Sequence, residues 1–152
     1  EALWRATGVW VLGLGATVTT NKRDVAADKF FTGLYETALR RGEIITSVSF
    51  PMAKRAAYIK FPNPASRYAL VGVLVSETAR RVRVAVTGAA QCVFRAKDME
   101  AALASKFAPE AIARIRLSAD KLNSDLHASA EYRAHLITVL AQRAVEAALS
   151  RK

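Results

Sequence analysis

The opening of the chain is dominated by an apolar run, Gly8 to Ala16, followed by the polar, β-branched Thr17-Val18-Thr19-Thr20. Residues 9–20 therefore predict a buried strand, closed by the turn chemistry of Asn21-Lys22-Arg23-Asp24. Arg5 ahead of the run admits a remnant of a secretory leader, but the glycines and the polar strand end favour the strand. Asp28 is placed to cap a short helix presenting Phe30, Phe31 and Leu34, with Gly33 and Gly42 as punctuation. From Glu43 to Phe50, Ile44, Thr46, Val48 and Phe50 alternate with Glu43, Ile45, Ser47 and Ser49, which is strand periodicity, and Pro51 ends it.

The pair Lys54-Arg55 marks a boundary between two structural units, 1–53 and 54–152. Beyond it Ala57 to Phe61 predicts a strand. Pro62-Asn63-Pro64 follows as a stiff loop, because each proline fixes φ and extends the residue before it. Tyr68–Glu77 and Arg81–Gly88 form two more β-rich runs, and the link Thr78-Ala79-Arg80 is short enough only for an antiparallel hairpin. A three-stranded antiparallel sheet cannot bury its apolar face alone, so helices must cover it. Lys97–Lys106 and Pro109–Leu117 read as helices, and Ser129 caps a last helix running to about Leu149. On that helix Glu131, His135, Thr138, Gln142 and Glu146 form a polar stripe opposite Leu136, Ile137, Leu140, Ala144 and Ala147. Arg133 projects from the apolar side, where a guanidinium is costly unless carbonyls or a carboxylate satisfy it, so it is expected to be a buried anchor. The fold class is α+β.

With 152 residues, 52% of them apolar, the chain can bury a sizeable core, which excludes wholesale disorder. A single cysteine, Cys92, excludes an internal disulfide and a thiolate metal centre, and suits a reducing compartment, the cytoplasm. No apolar run reaches the roughly 20 residues that span a bilayer. The formal charge of +10 is dispersed in pairs, Lys22-Arg23, Arg40-Arg41, Lys54-Arg55 and Arg80-Arg81. A dense stripe with interleaved aromatics would mark a nucleic-acid binder, so a solvated surface meeting acidic neighbours is the better reading. Gly13-Leu14-Gly15 lacks the third glycine and the following helix of a dinucleotide loop. His127 and Glu131 are four apart but find no second histidine or thiolate, so no metal is expected. No Gly-x-Ser-x-Gly elbow is present, Cys92 reads as a packed small hydrophobe, and no catalytic residue is assigned.

Five ordered motifs go further. Lys29-Phe30-Phe31-Thr32-Gly33, Thr37-Ala38-Leu39 and Gly42-Glu43-Ile44-Ile45 through Pro51 resemble the close of the FAD-binding domain in the medium subunit of molybdenum hydroxylases, the carbon monoxide dehydrogenase and xanthine dehydrogenase family. Tyr58-Ile59-Lys60-Phe61 with Asn63 to Gly72 resembles the opening of that subunit's C-terminal domain. Val84 to Gly88 resembles its third strand, and Ser124 to Arg133 the entry to its last helix. The resemblance implies that residues 1–53 are the tail of the FAD-binding domain. Residues 54–152 are then the C-terminal domain, an antiparallel sheet under a helical bundle. It implies FAD as the cofactor of the whole subunit, with molybdopterin on a large partner subunit and iron–sulfur clusters on a small one. The flavin would pass electrons from the clusters to an acceptor. By motif position, Ile45 would pack on the flavin ring and Lys60 would lie near its pyrimidine edge.

Three positions depart from the pattern: Arg41 stands in place of a proline, Lys29 in place of an aspartate, and Arg67 where an acidic residue is often found. The family's glycine-rich diphosphate loops precede the matching region, so this chain by itself is expected to hold FAD weakly and to be colourless. Two other readings are a stand-alone interaction domain of the same fold without flavin, and a basic nucleic-acid-binding protein.

Overall fold

The computed structural model describes residues 2–150, and the side chains of residues 7–150. Its centre is a four-stranded antiparallel sheet, β6 (Ala53–Pro62), β7 (Ala69–Thr78), β8 (Val82–Thr87) and β9 (Phe94–Arg95), in that spatial order. The expected three strands are present, joined by the hairpin at residues 78–81, where Thr78 and Arg81 bond to each other. β9 is the addition. Its two residues pair with Ala85 and Val86, a run too short for periodicity to register.

Alternation along the strands decides which helix covers which face. Val71, Val73 and Val75 of β7 and Val84 and Val86 of β8 share one buried cluster with Ile137, Leu140, Ala141 and Ala144. Those last four belong to α3 (Ala130–Ser150), and Met99 and Leu103 of α2 (Lys97–Ser105) complete the layer. The opposite face, Leu74 and Ala85, packs on Val9 and Leu12 of α1 (Ala2–Leu14). A sheet covered on both sides explains why β7 reads as an almost continuous apolar run.

α1 is the main correction to the sequence reading. Residues 9–14 are helical and only Thr17–Thr20, β1, is strand. A short, wholly apolar run lacks the polar residues that would distinguish period 2 from period 3.6, so burial hides the choice. The tight approach leaves no room at Gly13, where a β-carbon would fall 2.1 Å from Leu74 Cδ2 and 3.2 Å from Ala85 Cβ. Gly13→Ala should lower stability by about 2 kcal/mol in denaturant titrations although alanine favours helix by about 1 kcal/mol, because overpacking outweighs propensity. An unchanged or raised midpoint would show that α1 can lift off the sheet.

A second, three-stranded sheet lies beside α1 in the order β2 (Asp24–Ala26), β1, β5 (Ile45–Ser49). The turn expected at residues 21–24 joins β1 to β2. The expected helix around Phe30 is instead one 3-10 turn, Ala27–Lys29, followed by a small hairpin of β3 (Phe31–Gly33) and β4 (Glu36–Thr37). Asp28 lies inside that turn and does not cap it, because its carboxylate is drawn to arginines of the main sheet.

Pro109 likewise starts only a 3-10 turn, Pro109–Ala111, and no helix reaches Leu117. Ile112 and Ile115 instead pack sideways on the core, and the Ile115 carbonyl accepts a bond from Thr138 Oγ1 at 3.0 Å. Thr138, assigned to the polar stripe of α3, is buried for that reason. The last helix otherwise matches its reading, and Ser129 Oγ accepts from Tyr132 N at 3.2 Å. Arg133 is the anchor the sequence demanded: 3% exposed, it donates to the carbonyls of Leu70 (2.7 Å) and Gly88 (3.2 Å) and to Asp125 Oδ2 (2.7 Å). No described helix is long and apolar enough to cross a membrane.

Candidate functional site

Strand β5 is the edge of its sheet. It pairs with β1 alone, and all five of its residues are exposed. Around it lie further uncovered apolar side chains, Ile44 at 67% exposure, Phe50 and Met52. Across residues 42–68 the buried positions are Ala57 and Asn63, so this stretch forms an open margin of the molecule and not a sealed interior. An unpaired edge flanked by exposed apolar side chains is a liability in isolation and is tolerated where something else covers it.

The entry to β5 is held firmly. Gly42 adopts φ 73°, a left-handed conformation that a side chain would oppose, and so turns the chain into the strand. Glu43 Oε1 accepts from Arg23 Nε at 2.8 Å and Oε2 from the Arg40 backbone N–H at 2.7 Å, while Arg23 Nη2 donates to the Ala38 carbonyl at 2.6 Å. Asn21 bonds to the next residues, Nδ2 to the Gly42 carbonyl (3.3 Å) and Oδ1 from Ile44 N (3.1 Å). This clasp is the physical content of the Gly42-Glu43-Ile44-Ile45 motif. Sequence reasoning assigned Arg23 to a surface pair and Asn21 to a turn, because their partners lie about twenty residues away.

The Arg23 guanidinium, helped by the Arg40 amide, pushes the Glu43 carboxyl down to about 2. A carboxylate with a depressed folded-state pKa adds stability above its ordinary value of 4.5 and loses it as pH falls through the folded value. The stability gap between the native chain and Glu43→Gln should therefore be full at neutral pH and close between pH 4.5 and about 2, measured as denaturation midpoints against pH. A gap independent of pH would mean that shape, and not charge, holds the turn.

Of the two residues singled out from the sequence, Ile45 opens β5 opposite Thr20, at a register shift in the ladder, with 40% of its surface exposed. Lys60 lies on β6 opposite Gly72 and is also exposed. Its Nζ donates to the Arg67 carbonyl at 3.1 Å, leaving two ammonium protons for a ligand. The two residues belong to different sheets, linked through the exposed segment Phe50–Met52. The Arg67 carbonyl is aimed by an unusual backbone, φ 62°, inside a loop that Asn63 organises: Asn63 Oδ1 accepts from Ala65 N (2.9 Å) and Ser66 N (3.2 Å), and Asn63 N donates to the Tyr68 carbonyl (2.7 Å).

The Gly13–Gly15 turn is no phosphate cradle. It closes the C-terminal end of α1, which presents carbonyls and the negative end of the helix dipole, and Arg83 already fills the space. Cys92 is half-buried. No group of three or more metal-ligating side chains occurs among the described residues.

Comparison with known proteins places the chain in a family. Residues 56–148 match the profile of the CO dehydrogenase flavoprotein C-terminal domain, more than half of the chain. The chain belongs to this family. Within it, 92% of the chain aligns at 36% identity with 56% of the nicotine 6-hydroxylase medium subunit of Paenarthrobacter nicotinovorans. It also aligns over 86% of its length, at 28% identity, with 50% of the carbon monoxide dehydrogenase medium chain of Hydrogenophaga pseudoflava. The fold superimposes on CO dehydrogenase from Oligotropha carboxidovorans with a TM-score of 0.79 at 25% identity, covering 95% of this chain and 56% of that one. The chain thus spans about half the length of the curated relatives it matches.

Its residues fit one part of FAD. Uncovered Ile44 and Ile45 suit a flat aromatic ring, and Lys60 has donors to spare. A pyrophosphate would need a glycine-rich run of free amides, and the seven glycines of the sequence, scattered between positions 8 and 88, form no such run.

Proposed function

We propose that the chain is the ring-side wall of the flavin site in the medium subunit of a molybdenum hydroxylase, an oxidoreductase assembly. A molybdopterin-bearing large subunit and an iron–sulfur small subunit would be its partners. The observation that carries the reading is the edge strand β5, held rigidly at its entry by Arg23, Asn21 and Glu43 while Ile45, Val48 and the flanking Ile44, Phe50 and Met52 stay uncovered. Rigid support beneath an open apolar surface is what a cofactor wall requires. Membership of the flavoprotein family supports the same reading over a nucleic-acid or flavin-free role. The same reading divides the chain at residues 53/54 into a flavin-domain tail and a C-terminal domain, and the start of the matched profile at residue 56 supports that division.

FAD, when bound, relays electrons between the iron–sulfur clusters and the terminal acceptor. Ile45 would exclude water from one face of its ring. Lys60, steadied by the Arg67 carbonyl, would place a positive charge toward the pyrimidine edge, where reduction builds negative charge. Lys60→Met in the flavin-loaded assembly should lower the two-electron midpoint potential by about 30 mV, the equivalent of about 1.4 kcal/mol. A potential unchanged by that substitution would remove Lys60 from the site.

A further inference from the structure

A groove of about 830 Å³ runs between the start of α2 and the irregular segment 115–122. None of its lining residues belongs to β5 or β6, so it is separate from the flavin margin. It exists because the chain after Pro109 abandons the helix and arches past α2 without packing flush against it. The inner side is apolar: Phe94, Met99, Ile115, Leu117 and Leu122. Its size falls within the range of about 300–1,000 Å³ typical of small-molecule sites.

The rim carries a net positive charge. Lys97 and Lys121 line it from opposite walls, both exposed and neither in an ion pair among the described residues. Arg116 adds a third cation, with Nη1 held by the carbonyls of Ala113 (2.9 Å) and Ile115 (3.4 Å). Arg95 is neutralised by Glu100 and Asp28. Two carboxylates oppose the cations: exposed Asp98, and Asp120, which accepts from Ser118 Oγ at 2.7 Å. Lysines on the rim of an apolar trough are complementary to a molecule with a greasy body and an anionic head.

We propose that this groove binds an amphipathic organic anion, its apolar body against the partly exposed Phe94, Leu117 and Leu122 and its carboxylate at the rim that carries Lys97 and Lys121. A long-chain or aromatic carboxylate has this chemistry. A cationic amphiphile of equal length does not, because it would bring its charge to the lysines.

The test is a chemical-shift titration of the full chain with decanoate, kept below its micelle threshold, and in parallel with decyltrimethylammonium. The expected result is saturable decanoate binding with shifts concentrated on Phe94, Leu117 and Leu122. Binding should weaken roughly ten-fold in the double variant Lys97→Gln/Lys121→Gln, whose exposed positions leave the core intact. Decyltrimethylammonium should bind far more weakly at the groove. Equal affinity for the two amphiphiles, shifts centred on Ile44 to Met52, or decanoate binding unchanged in the double variant would each overturn the assignment. So would an absence of saturation, which leaves the groove to a protein segment.

Discussion

Replacing Arg133 by methionine should cost about 3–5 kcal/mol of folding stability, the largest effect of any single substitution at a charged residue here. The side chain is buried and ties three separate elements to α3: the start of β7 through the Leu70 carbonyl, the end of β8 through Gly88, and the loop before α3 through Asp125. Methionine matches its length and apolar stem but leaves both carbonyls without a donor in a region closed to water. The cost is raised by Gly88, whose φ of 80° turns its carbonyl toward the guanidinium. Lysine is a revealing control. It keeps the charge but not the planar fork, so it can serve one carbonyl or Asp125 but not all three partners, and should recover less than half of the loss. Chemical denaturation of the three proteins checks this. Full recovery by lysine would mean that charge alone matters at this position.

The second large effect is expected at Arg83, which ties α1 and the 3-10 turn to the main sheet. It lies on β8, 5% exposed, and donates to the Leu12 carbonyl at the end of α1 (3.1 Å) and to both oxygens of Asp28 (2.8 and 2.9 Å). Asp28 also accepts from Arg95, and Arg95 is held by Glu100, whose Oε1 takes the Val84 amide at 3.0 Å. The chain of charges therefore runs from α1 through the 3-10 turn to α2. Bonding to the Arg83 guanidinium, and then to Arg95, holds the Asp28 carboxyl below the usual range.

Arg83→Met leaves the Leu12 carbonyl with the Gly15 amide alone (3.1 Å) and Asp28 with Arg95 alone, and should remove about 2–4 kcal/mol. The damage should be local first. Hydrogen exchange is expected to accelerate across residues 9–20 and 45–49 while α3 keeps its protection, because β6, β7 and α3 retain their own contacts. Uniform acceleration over the whole chain would contradict the separateness of the two buried clusters.

How far the sequence foretold these features depends on the range of each interaction. The hairpin at residues 78–81 and the Ser129 cap involve partners within three residues, and both stand in the structure where the pattern placed them. Arg133 was legible for a different reason. Its helix supplies the apolar frame that makes the charge conspicuous, and burial forces partners to exist even though Leu70 lies 63 residues away. The Arg23–Glu43 clasp gave no such signal, since both residues sit in segments where exposed charge is ordinary. α1 was misread because nothing in Val9 to Leu14 shows which side is covered. The second helix after Pro109 failed because Ile112, Ile115, Leu117 and Leu122 are spaced to pack from an extended path as well as from a helix.

Position in a motif singled out Ile45 and Lys60 as candidates, and the structure adds the supports that position cannot show. Neither residue is remarkable in composition or periodicity. What distinguishes them is exposure on firmly built backbone, through the Glu43 clasp for one and the Asn63 loop for the other.

The most direct measurement is a titration of the full chain with lumiflavin, the tricyclic ring without its phosphate tail, followed by the methyl shifts of Ile45 and the side-chain signals of Lys60. The ring should bind weakly, with a Kd on the order of 1 mM, and should move both residues. FAD should bind no more tightly than the bare ring. Shifts that spare Ile45 and Lys60, or FAD held far more tightly than lumiflavin, would contradict the account.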